Sequence, residues 1–174
     1  MGLVVVQVPT MGAAYQAVAL LAEGSPSPLY DMIPHGYGAT LLVNAKREPV
    51  EQTLKNARIE FNIDGVLADG EEKVLRALYS IDNSALKESL LVVESISPGV
   101  LIDQGHRAVQ AGLEIVDLKI PRGSQVTGSV LLTGSKSSVT KFQESPELSK
   151  SKAQVTLVPV TKALEAFFDI SPKQ

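Results

Sequence analysis

Apolar positions along the chain fall into short runs, each closed by Pro, Gly or a polar cluster. Residues 3–8 (LVVVQV) form a β-rich run. TMGAAYQAVALLA follows, with Thr10 suited to cap a helix and Ala favouring one. Pro26 and Pro28 stop that helix. Residues 29–33 and 39–43 read as short strands around a loop at 34–38, and Pro49 opens a short helix through Lys55. ARIEFNI, residues 57–63, alternates like a strand, and residues 69–81 read as a helix with acids in the first turn.

The series then repeats. Strands are predicted at 90–95, 114–120, 129–133 and 153–160, and helices at 100–111, 137–142 and 161–170, with a loop at 121–127. Pro34 and Pro121 stand 87 positions apart, half of 174 residues, and the same shift carries Gln7 onto Glu94, Ile33 onto Ile120, His35 onto Arg122 and Gly36 onto Gly123. Each half is therefore a β-α-β-β-α-β unit with a terminal helix, an α/β (α+β) layout of the split-βαβ, ferredoxin-like kind. The expected organisation is a first domain at 1–80, a polar linker at 81–88 and a second domain at 89–174. A unit of this size buries only roughly 60–65% of its unfolded surface, so each half is expected to lean on the other, and the pair on further copies.

Composition narrows the chemistry. Hydrophobic residues make up 44% and charged residues 20%, which is globular, and the net charge of −3 without a basic stripe argues against nucleic acid. The absence of Cys removes disulfides, thiolate metal sites and cysteine nucleophiles. No run approaches a membrane span and no secretory leader is evident, so the expectation is a soluble cytoplasmic protein. The G-x-G of HGYG sits between two strands and reads as a turn; TGSKSS lacks the upstream Gly of a phosphate loop; the four acids of DGVLADGEE lack metal-loop alternation. His106 falls mid-helix as a packing or surface residue, and His35 has no acid–base partner. No catalytic residue, metal ligand or cofactor is expected.

The second half, LLVVESISPGVLIDQGHRAVQAGLEIVDLKIPRG…GSVLLTGSKSSV, resembles the bacterial microcompartment shell domain through Glu94, residues 114–117, Gly123, Thr133-Gly134 and Ser138-Val139. The first half is similar more weakly, through residues 4–7, 15–20, Gly36 and 41–43. The resemblance implies a tandem-domain shell protein: a homotrimeric, pseudohexagonal (pseudohexameric) tile that packs with other shell proteins. In such tiles the loop between the second and third strands rims a central pore for small metabolites. Carried over, the pore-lining residues are His35, Gly36 and Tyr37 in one domain and Arg122, Gly123, Ser124 and Gln125 in the other. Converging Arg122 side chains would favour anions, and His35 would add charge as pH falls towards ~6.5. Gln110 and Leu20 or Leu21 stand where many family members carry an edge Lys. A second reading of tandem split-βαβ units is a regulatory module that binds a small effector between its domains.

Overall fold

The structure, a computed structural model, describes residues 2–23, 29–36, 38–67, 72–80, 84–121 and 126–170. The first half runs β1 (Gly2–Val8), α1 (Met11–Glu23), β2 (Leu29–His35), β3 (Gly38–Ala45), α2 (Arg47–Asn56), β4 (Asn62–Leu67) and α3 (Glu72–Leu78). The second runs β5 (Ser89–Ser95), α4 (Pro98–Gln110), β6 (Glu114–Lys119), β7 (Gly128–Gly134), α5 (Lys136–Gln143), α6 (Pro146–Lys150), β8 (Gln154–Pro159) and α7 (Lys162–Ile170). Each half forms a four-stranded antiparallel sheet of the same order, β2-β3-β1-β4 and β6-β7-β5-β8.

Local chemistry sets the helix starts. Thr10 Oγ1 accepts from the Ala13 amide at 3.1 Å, as its sequence position predicts. Ser97, Ser135 and Ser145 cap α4, α5 and α6 in the same way. Pro98 and Pro146 occupy the first turns of α4 and α6, where a missing N–H costs nothing. The S-P pairs therefore start α4 two residues earlier than the apolar pattern suggests and create α6, which the pattern does not show.

The predicted strand at 57–63 is corrected. α2 ends at Asn56, Arg58 takes a positive φ of 57°, and the chain turns before β4 begins at Asn62. Ile59 is buried beneath α2 and Phe61 half-buried beside it, so a packed connection imitates strand alternation.

The two faces of the first sheet serve different cores. Val4, Val6, Val8, Leu41 and Val43 pack with α1 and α2. Leu3, Val5, Leu42 and Leu67 face the other way and join one continuous core with α3, α4 and the second sheet. Helix α4 is thus embedded on more than one side, with residues 101–106 all buried. Helix α3, which ends the first repeat, packs on β6 and α4 of the second. The linker is also tied to the second sheet: the Ser84 amide donates to the Ile115 carbonyl at 3.1 Å and the Lys87 amide to Thr133 Oγ1 at 2.8 Å. Lys87 Nζ donates to Glu114 Oε1 at 2.7 Å, which holds the Glu114 carboxyl below its usual range.

Candidate functional site

Two regions carry unusual chemistry: the turn that joins β2 to β3, and the seam between the halves.

At the turn, His35 closes β2 by pairing with Gly38, and Gly36 adopts a positive φ of 47° that favours glycine. Tyr37 and the second-half residues Arg122, Gly123, Ser124 and Gln125 lie outside the described residues. Strand register gives the correspondence between the two turns. Val8 pairs with Ala39 and Ile33 with Thr40; Ser95 pairs with Gly128 and Lys119 with Ser129. Ile33 therefore corresponds to Lys119 and Pro34 to Ile120, so the predicted match of Ile33 to Ile120 is corrected by one residue. The second connection is longer, and the repeated Ile-Pro falls one step out of phase with the ladder.

His35 is half-buried, its Nε2 lying 3.1 Å from Thr40 Oγ1. Burial holds its pKa below the ordinary value, opposed by a hydrogen bond with the Ala39 backbone. His35 is therefore neutral at pH 7 and gains charge only below about 6.5, the unperturbed value. An unfolded chain takes up that proton first, so His35 weakens the fold as pH drops through this window. An NMR titration of the ring is expected to give a midpoint below the free-histidine value; a midpoint above it would contradict this burial.

The seam is built from β4 and α4. β4 carries a bulge: Val5 pairs with Gly65 and Val6 with Ile63, leaving Asp64 as the extra residue. Asp64 Oδ1 accepts from Asn62 Nδ2 at 2.6 Å, and Oδ2 from Ser97 Oγ at 3.4 Å, at the N-terminus of α4. Asp103 Oδ2 accepts from Arg107 Nε at 2.7 Å and from Gln104 Nε2 at 3.3 Å. The two carboxylates sit reciprocally on glycines. A Cβ on Gly99 would lie 2.7 Å from Asp64 Cγ, and one on Gly65 would lie 3.0 Å from Asp103 Cγ. Beside them opens a cavity of about 250 Å³, lined in part by Asn62, Asp64, Gln104, Arg107 and Lys150. Among the described residues no group of three or more His, Asp or Glu side chains is placed to hold a metal, and no helix there is long and apolar enough to cross a membrane.

Burial raises the Asp64 pKa, and Asp103 adds to the rise, while the bonds from Asn62 and Ser97 oppose it. A folded pKa above the unfolded one means that ionised Asp64 costs stability at neutral pH, a cost relieved as pH falls through the raised value. Asp64→Asn is expected to remove this component from a plot of unfolding free energy against pH. An unchanged slope between pH 7 and about 4 would refute it.

Sequence reasoning reached the turn but missed the seam. Asp64-Gly65 lies within a strand, and nothing local announces that α4 will press on it.

No protein-family model matches the chain, and no curated protein matches it. Among solved structures, a microcompartment protein from Desulfitobacterium hafniense DCB aligns with a TM-score of 0.68 at 18% identity, over 93% of this chain and 96% of that chain. The likeness spans both sheets and the helices between them, so the chain as a whole has the fold of a microcompartment protein.

Proposed function

We propose that the chain is a non-enzymatic shell component of a bacterial microcompartment in the cytoplasm. Three copies close into a pseudohexagonal tile that packs with other shell proteins. The β2–β3 turn with His35, Gly36 and Tyr37 and the β6–β7 connection with Arg122, Gly123, Ser124 and Gln125 alternate around a central pore. Neutral His35 leaves Arg122 as the positive group at that rim, which favours small anionic or polar metabolites.

The observation that carries this reading is a mismatch in burial between equivalent positions. By strand register, Val5, Leu42 and Leu67 of the first sheet correspond to Val92, Leu131 and Val158 of the second. The first three are buried under the chain's own second half, and their counterparts are only half-buried. Helix α3 docks on the second half, whereas Ala163, Glu165 and Ala166 of the corresponding α7 are exposed. One end of the pair is covered and the matching end is open, which is what a unit made for head-to-tail addition leaves behind.

Electron microscopy of the purified chain should reveal discs with six lobes and a central opening. Irregular single particles without discs would refute the reading. Arg122→Ala is expected to reduce anion flux through a reconstituted layer, and unchanged flux would remove the selectivity. The cavity at the seam favours a second reading, an effector-binding module, which predicts saturable binding of a small polar ligand by an unassembled chain.

A further inference from the structure

Helices α1 and α4 correspond residue for residue: Met11 and Pro98 are 87 apart, as are Glu23 and Gln110. The same step matches Gly12 to Gly99, Tyr15 to Ile102, Gln16 to Asp103, Ala19 to His106 and Leu20 to Arg107. Gly99, Ile102, Asp103 and His106 are all buried, whereas Gly12, Tyr15, Gln16 and Ala19 are exposed, Tyr15 to 62%. The bulges add a further pair: Tyr30 in β2 and Val116 in β6 are the extra residues, and Tyr30 is 51% exposed where Val116 is 4% exposed. The first unit therefore exposes α1 and the β2 bulge, and the second the outward face of its sheet, while α4 and the β6 bulge are covered by the first unit within the chain.

We propose that α1 of a second copy docks, through Tyr15 and Gln16, on the outward face of the second sheet formed by Val92, Leu131 and Val158. This inference rests on the assembly reading above and adds which surfaces meet and what selects them. The helix choice follows from availability: α4 is buried within its own chain, whereas Tyr15 and Gln16 of α1 are exposed. Gly65 lies opposite Val5, and the residue opposite Val92 is Thr156. Asp103 is pressed against Gly65 so closely that a Cβ there would come within 3.1 Å of Asp103 Cβ, besides meeting its carboxylate. A threonine in that place holds any docked helix slightly farther from the sheet, since every side chain there begins with the same Cβ. Helix α1 brings the longer, neutral Gln16 to the same position, where its amide can pair with the exposed Thr156 hydroxyl. β8 also pairs with β5 without a bulge, so it has no counterpart of Asp64. The contact within a chain seats two carboxylates on glycines, whereas the contact between chains would bring an aromatic anchor and neutral polar groups; Tyr, which buries a large ring at little entropic cost, suits such an anchor.

The chain has no Cys, so introduced thiols report directly. The double variant Gln16→Cys/Thr156→Cys changes two exposed positions and, after mild oxidation, is expected to give covalent species of two and three chains on a non-reducing gel. Either single variant is expected to give none. Pairing of Thr156→Cys with itself would instead mean sheet-to-sheet packing about a twofold axis and would overturn the proposal. A double variant whose native mass is three chains, but which does not cross-link, would overturn the docking while leaving the assembly reading intact. A mass of one chain would remove both. As an independent readout, Tyr15→Glu is expected to abolish the assembled species while leaving the far-ultraviolet circular dichroism unchanged; retained assembly would count against the anchor.

Discussion

Gly99→Val is expected to destabilise folding by about 1–3 kcal/mol, whereas Gly12→Val, at the equivalent position of α1, is expected to leave the folding of a single chain nearly unchanged. The new side chain at residue 99 would meet Asp64, whose Cγ lies 2.7 Å and Cβ 2.9 Å from an ideal Cβ. Relief requires Asp64 to leave the α4 N-terminus, with its bonds to Asn62 and Ser97. At Gly12 the nearest such neighbour is Thr10 Oγ1 at 3.9 Å, so a dilute single chain has room for the same change. In the proposed assembly Gly12 would face the next copy, and there Gly12→Val should weaken association. Denaturant unfolding at low protein concentration separates the two effects, and equal destabilisation at both sites would contradict the asymmetry of the halves.

Leu42→Ala and Leu131→Ala make the same comparison on the sheets and carry the largest expected energies. Leu42 is fully buried in the core that spans both halves, so its truncation is expected to cost about 2–5 kcal/mol. Leu131 holds the equivalent register position and is only half-buried, so less apolar area returns to water when it is cut back. The expected signature is a lowered unfolding midpoint for Leu42→Ala at any protein concentration. For Leu131→Ala the loss should be concentration-dependent, falling mainly on assembly. Equal, concentration-independent losses would mean that the second sheet's outer face is ordinary core.

The duplication was legible because apolar periodicity and cap residues are local signals, and they repeat. Thr10 caps α1 as its position suggests, and the strands at 90–95, 114–120 and 129–133 fall within a residue or two of β5, β6 and β7. What failed was non-local. The match of Pro34 to Pro121 slips by one because register is set by pairing with β3 and β7, which the sequence shows only indirectly. β4 was displaced because Ile59 and Phe61 alternate while packing beneath a helix. The Asp64-Gly65 bulge was invisible because its cause is a helix from the other half, pressed close enough that only glycine fits. The exposed Tyr15 reads as one more apolar residue of a helix until its buried counterpart, Ile102, stands beside it.

The native mass of the purified chain by light scattering on a sizing column tests the account most directly. Three chains, or six if two tiles stack face to face, is the predicted result, since three two-unit chains supply the six units of a closed ring. A mass of a single chain that persists as concentration is raised would contradict it and leave the half-buried face of the second sheet without its partner.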